Sequence, residues 1–206
     1  MFIELFMILH PVKAPLKHVA KCEACGLHRC QRPLLDGFKR ADVMWVGLSA
    51  KKIDRGTSFI PLAPETPTGN ILQEIEGQLL GVRFYKTNLV KCPPLDADGK
   101  LRYPDEKEMD VCFNNLEYEI KIIKPAIIVL LGLKVANFCF PRMFGHKAAL
   151  PNNFGYQPKQ TGEASFIPVH HPSFINVYRK KQQTAYRNSI RRMIESLLGQ
   201  VEALAA

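Results

Sequence analysis

Residues 126–132, Ala-Ile-Ile-Val-Leu-Leu-Gly, are apolar at every position up to a closing glycine. A strand that is apolar on both faces belongs in the middle of a parallel sheet covered on each side. Upstream, Asp105 opens a stretch in which Met109, Cys112, Leu116, Ile120 and Ile123 recur at helical spacing, so a helix leads into this strand. Downstream, a helix begins near Lys134. Further out, Val43–Gly47 (VMWVG), Phe84–Val90 and SFIPVHH (165–171) read as three more strands. Between the first two of these, the stretch after Gly69 places Ile71, Leu72, Ile75, Leu79 and Leu80 on one side of a helix. The tail from Gln182 to Leu198 reads as an amphipathic helix with Arg187, Arg191 and Arg192 on its basic face. PPLDADGKLRYP (93–104) is expected to be exposed and irregular, and residues 141–164 a long connection. Strands alternating with helices give an α/β fold, a three-layer α/β/α sandwich around a central, mostly parallel four-stranded sheet, with residues 1–206 forming one domain.

The 206 residues are 47% hydrophobic, ample for a core, and 28 Lys and Arg against 19 Asp and Glu leave a net charge of +9. Such an excess favours an anionic partner, nucleic acid above all. Lys51 and Lys52, and the run Arg179-Lys180-Lys181, flank loops that lead out of strands, where they are placed to meet phosphates. The opening MFIELFMIL lacks a basic flank and a small-residue cleavage site, and no run reaches membrane-spanning length, so neither export nor a membrane is expected. Nothing in the sequence assigns a protein partner.

Six cysteines are present. Cys22 and Cys25 form a C-x2-C pair, and Cys92 and Cys112 follow far downstream as C-x19-C. Four thiolates suit an iron-sulfur cluster or a zinc ion. The alternative is that they are buried small hydrophobes, as free cysteines often are. Cys30 could replace one of the distant ligands, whereas Cys139, within VANFCF, belongs to the core.

Ligands of open parallel sheets bind beyond the carboxyl ends of the strands. Three such ends carry polar or glycine-rich loops: GLSAKKIDRGTSF (47–59), TNLVKCPP (87–94) and HHPSF (170–174). His171 can donate a hydrogen bond to a ligand over the sheet edge, or be an ordinary loop histidine. The amide of Asn88 offers a donor and an acceptor in one plane, matching a pyrimidine edge, but asparagine is also a common turn residue. Phe59 can stack on a flat ring or simply pack.

The order of these segments resembles the uracil-DNA glycosylase superfamily, and within it the iron-sulfur families four and five. CEACGL is similar to the paired cysteines that open those families, WVGLSAK to their first catalytic motif, GTSF to their base-stacking segment, YKTNLVKCPP to the asparagine motif with the third cysteine, and HHPS to their second catalytic motif. VLLGLKVA resembles the central strand and following helix. The resemblance implies that Phe59 stacks on an extruded base, that Asn88 reads its pairing edge beside Gly47 and Leu48, that His171 stabilises the departing base, and that Ser173 lies against DNA. It also implies that Cys22, Cys25, Cys92 and Cys112 hold a structural [4Fe-4S] cluster in preference to zinc. A cytoplasmic protein of a prokaryote, or of a virus with a prokaryotic host, is the setting it implies.

The first motif departs from the family pattern. Leu48 stands where those families usually carry an acid and resembles the subgroup that also lacks it, Ala50 stands where they carry proline and departs from both patterns, and Ser49 occupies the place of a water-positioning residue. Asp54 is the nearest carboxylate and the candidate for that role, the alternative being an aspartate that caps the loop. The segment IPLAPETPT (60–68) lengthens the loop beside the pocket. The leading expectation is a monofunctional DNA glycosylase that hydrolyses the N-glycosidic bond of uracil or a related damaged or modified base and leaves an abasic site. The alternatives are a catalytically silent protein that binds bases or single-stranded DNA, and a redox-sensing metalloprotein.

Overall fold

Among the described residues, five strands build one sheet in the order β2-β1-β3-β5-β4. They are β1 (Val43–Ser49), β2 (Phe84–Val90), β3 (Ile127–Leu131), β4 (Lys159–Thr161) and β5 (Ala164–Val169). The structure, a computed structural model, describes residues 14–53 and 60–205. β1, β2, β3 and β5 run parallel, and only β4 pairs antiparallel, with β5. The four expected strands are all present. The fifth, β4, lies inside the stretch read as a long connection, where its three exposed residues show no apolar alternation that could have marked them.

Side-chain alternation along the strands divides the core in two. Met44, Val46, Ile128 and Leu130 point to one face, where they pack with Leu116, Ile123, Val135 and Phe140. Val43, Trp45, Ile127, Val129 and Leu131 point to the other, against Ile71, Leu72, Ile75, Tyr186 and Ile190. Helices α3 (Glu106–Ile123) and α4 (Leu133–Phe144) therefore cover the first face, and α2 (Pro67–Glu76) and α6 (Gln183–Ala205) the second, with α1 (Lys17–Ala20) and α5 (Pro172–Tyr178) as short additions. This is the three-layer sandwich. No helix among the described residues is long and apolar enough to cross a membrane.

Local chemistry fixes the helix starts. Asp105 caps α3 in a full capping box, its carboxylate accepting from Glu108 N at 2.8 Å while the Glu108 side chain accepts from Asp105 N at 2.9 Å. Such a cap contributes about 1 kcal/mol. Thr66 caps α2 through Gly69 N at 3.0 Å, with Pro67 in the first turn. α2 ends at Glu76, so Leu79 reaches the core but Leu80, expected on the same face, is 92% exposed. The loop at 93–104 is also more ordered than expected. Leu95 and Leu101 bridge, Pro93, Pro94 and Pro104 are buried, and Arg102 grips the Glu108 carboxylate with both terminal nitrogens.

The chain leaves β1 in one direction to reach β2, and later returns to β1's other side to form β3. The strand order thus reverses between β1 and β3, and the carboxyl ends at such a reversal splay apart and leave a crevice for a ligand.

Candidate functional site

That crevice is a cavity of about 1070 Å³, lined by the carboxyl ends of four strands: Gly47 to Lys52 after β1, Asn88 on β2, Leu131 to Lys134 after β3, and His171 with Ser173 after β5. Residues 60–63 and 65–68 form a further wall. The lengthened loop is therefore part of the pocket itself.

Asn88 pairs in register with Gly47 on the neighbouring strand and is 3% exposed. A Cβ built on Gly47 would overlap Asn88 Oδ1 and lie 3.1 Å from Leu62 Cδ2. Only glycine leaves room for the amide to lean across β1. The backbone around Asn88 is held from below. Lys91, 1% exposed, donates from Nζ to the Asn88 carbonyl at 2.5 Å and to Thr87 Oγ1 at 2.9 Å, and pairs with the fully buried Glu119. Tyr85 and Thr87 hydroxyls each donate to the Glu119 carboxylate at 2.9 Å. Both carboxylate oxygens are thus satisfied, the condition under which a buried ion pair is tolerated.

His171 caps the N-terminus of α5. Its Nδ1 accepts from Ser173 N at 3.2 Å and lies 2.7 Å from Ser173 Oγ. Accepting there leaves the proton of the neutral ring on Nε2, which becomes a donor. Burial lowers the His171 pKa below 6.5, and the nearby positive charge of Lys51 lowers it further, so the ring is neutral at pH 7. Gly132, with φ +102°, brings its backbone so close that a Cβ there would sit 3.0 Å from His171 Cβ.

Ser49 and Leu48 are half-buried in the cavity wall, and Leu48 also packs on the core. Lys51 and Lys52 are exposed at its rim. Lys180 and Lys181 are exposed just beyond α5. Arg179 is instead committed within the protein: it donates to Asn152 O at 2.9 Å and Asn152 Oδ1 at 2.7 Å, with its guanidinium over the Phe154 and Phe174 rings. Of the basic face expected on α6, Arg187 pairs with Glu74 and Arg191 with Glu195. Asp54 and Phe59 lie outside the described residues. Sequence reasoning missed Tyr103, Lys134 and the carboxylate of Glu65, all in the cavity lining. Nothing in the local pattern marks them, because they are brought there by the fold.

Away from the cavity, the four cysteines singled out are drawn together. Asn115 Nδ2 donates to Cys22 Sγ at 3.3 Å and approaches Cys112 Sγ at 3.9 Å, and Lys91 N donates to Cys112 Sγ at 3.4 Å. The Cys92 thiol is pushed up to about 12 by burial and then by Cys112, Cys25 and Cys22, with Arg32 opposing. Burial likewise raises Cys112, against the opposing effect of Lys91. Cys92 therefore lies within electrostatic reach of Cys22, Cys25 and Cys112, and a cation beside Cys92 and Cys112 would favour their thiolates. No three His, Cys, Asp or Glu side chains among the described residues converge as a single-ion site. Cys30 is exposed, and Cys139 is buried in the core, as expected.

The sequence model of the Uracil DNA glycosylase superfamily matches residues 30–195. Among similar proteins, the Type-4 uracil-DNA glycosylase of Pyrobaculum aerophilum is 32% identical over 76% of this chain and 80% of its own. Those of Sulfurisphaera tokodaii and Archaeoglobus fulgidus are 26% and 25% identical, over 92% and 87% of this chain and 82% and 90% of theirs. The crystal structure of Pedobacter heparinus SMUG2 shares the fold, with a TM-score of 0.55 at 14% identity over 78% of this chain and 77% of that one. With its ordered motifs, its sheet and a family match spanning most of its length, the chain belongs to the uracil-DNA glycosylase superfamily.

Proposed function

We propose that the protein is a monofunctional DNA glycosylase that hydrolyses the N-glycosidic bond of uracil or a related damaged or modified base in DNA, leaving an abasic site. The observation that carries this reading is the placing of a buried planar amide, Asn88, and a neutral imidazole, His171, in the wall of one cavity with a basic rim. Three relatives named uracil-DNA glycosylases support it.

A base inside a duplex is out of reach, so the target nucleotide must be extruded or taken from a single strand. In the proposed complex the Asn88 amide reads its pairing edge beside Gly47 and Leu48, and Phe59 stacks on its face. As the bond from C1′ to the base nitrogen breaks, its electrons pass to the base and positive charge develops on the sugar, as in other glycosyl transfers. His171 Nε2–H donates to the base as it becomes anionic, an interaction that strengthens toward the transition state. Water then adds to C1′ and its proton leaves to solvent. Ser49 orients that water. A hydroxyl is a weak base, so stabilisation of the leaving anion carries most of the acceleration, with Asp54 the carboxylate proposed to assist. Lys51, Lys52, Ser173, Lys180 and Lys181 hold phosphates, with Arg179 supporting the segment.

Cys22, Cys25, Cys92 and Cys112 are proposed to hold a [4Fe-4S] cluster. Four soft sulfur donors, with Cys92 in electrostatic reach of the other three, are a donor set such a cluster takes. Bound there, the cluster would cross-link the N-terminal segment, the segment after β2 and α3.

The test is incubation with oligonucleotides bearing uracil, hypoxanthine or modified cytosines, followed by alkaline cleavage at abasic sites. Product from one base establishes the activity. Tight binding with no product from any base would favour the silent binder instead.

A further inference from the structure

Eight large apolar side chains stand exposed among the described residues, and six of them, Leu101, Tyr103, Leu133, Phe174, Val177 and Tyr178, line the mouth of the cavity that holds Asn88 and His171. Scattered apolar side chains on a surface need no explanation, but their concentration around one opening does.

The rings are also ordered. His170, Phe174 and Tyr178 recur every four residues. The His170 and Phe174 rings stack with centroids 5.7 Å apart and planes 19° apart, and the Phe174 and Tyr178 rings follow at 5.3 Å and 40°. Tyr178 remains 75% exposed at the outer end of this series. Elsewhere on the mouth, Tyr103 is 67% exposed and carries the Lys134 ammonium 3.2 Å from its ring centroid. Lys51, Lys52 and Lys134 share the same lining, against the single carboxylate of Glu65 among the described lining residues.

Flat apolar faces interleaved with ammonium groups match a polymer that offers both open ring faces and a phosphate backbone. A duplex presents phosphates but hides its base faces in the stack, so it would engage the lysines and leave Tyr103 and Tyr178 in water. We propose that this rim is a stacking platform for the unpaired bases flanking the one in the pocket, and that single-stranded DNA is the partner the protein prefers. The proposal rests on the glycosylase reading only in placing DNA at this cavity, and its test needs no base excision.

The experiment is fluorescence anisotropy of the full chain with an unmodified labelled oligonucleotide, free and annealed to its complement. The unmodified protein is expected to bind the single strand at least about tenfold more tightly. Tyr103→Ala and Tyr178→Ala should each weaken single-strand binding by about five- to a hundredfold while changing duplex binding by less than about twofold, and Tyr178→Phe, which keeps the ring, should bind as the parent does. Equal or tighter binding of the duplex, equal losses on both forms, or a parent that sediments as a dimer which Tyr178→Ala dissociates would each overturn the proposal, the last by making the patch a contact between two copies. Single-strand preference lost on Tyr103→Ala and Tyr178→Ala, with no abasic product from any base, would uphold this surface and refute the glycosylase reading. Abasic product without single-strand preference would do the reverse.

Discussion

Substituting Gly47 by alanine tests the geometry on which base reading depends. The added carbon would approach Asn88 Oδ1 closer than 3.0 Å, a separation that such contacts do not adopt. On its other side Leu62 Cδ2 is already 3.1 Å away, so the new methyl cannot move aside freely. The Asn88 backbone cannot retreat either, because its carbonyl is bonded to the buried Lys91. The amide itself must then rotate or shift by on the order of 1 Å, and a displacement of that size costs about a hundredfold in rate when the displaced group orients the substrate. Overpacking of this kind lowers stability by about 1–3 kcal/mol, so the variant should fold. The assay is single-turnover formation of abasic sites, with thermal unfolding followed in parallel. A double-mutant cycle sharpens it. With Asn88→Ala already in place there is no amide to displace, and Gly47→Ala should then add little. Parent-like rates in the Gly47→Ala protein, or a full additional loss in the double variant, would refute the account.

His171→Ala should lower the cleavage rate by about 10²–10³-fold with far less effect on DNA affinity, measured by comparing kcat with binding. The depressed pKa of His171 puts its neutral form in place at and above 6.5, so activity should fall only as pH drops below that value; Lys51→Ala, by removing a nearby positive charge, should move this acid limb upward in a pH–rate profile. Cys22→Ser should reduce bound iron and sulfide measured on the purified protein, whereas Cys30→Ser, altering an exposed thiol, should leave both unchanged. Lys91→Met leaves the Glu119 carboxylate buried without its cation and should cost about 3–5 kcal/mol in denaturant unfolding. Adding Glu119→Gln, whose amide oxygen still accepts from Tyr85 while its amide nitrogen can donate to the Thr87 hydroxyl oxygen, should recover much of that loss.

The parts of the fold legible in the sequence are those where burial on two faces writes an unbroken apolar run. Val43 to Val46 and Ile127 to Leu131 are buried on both sides of the sheet, and their sequences say so. The start of α3 was equally readable, because the Asp105 cap and its Glu108 partner are local chemistry. Helix α5, by contrast, is only seven residues long and follows a His-Pro step, too short for a helical period to emerge, so it read as a loop. Asn88 and His171 could be named in advance because a strand end announces them. The roles of Lys91 and Glu119 could not, since charged residues read as surface until tertiary structure encloses them. Tyr103 and Lys134 come from separate loops, and only the sheet order brings both to one opening.

The enclosed pair has a consequence for how this chain can change over time. Lys91 on the segment after β2 and Glu119 on α3 have side chains 1% and 0% exposed, so replacing either alone strands a charge in the interior. An evolving lineage must cross that destabilised intermediate or alter both positions at once. Each partner thus holds the other in place across generations, while an exposed position on the cavity rim strands no buried charge when replaced and can change singly without unfolding the protein. A new base preference could be explored by changing the rim and the lengthened loop while the foundation beneath Asn88 remained as it was.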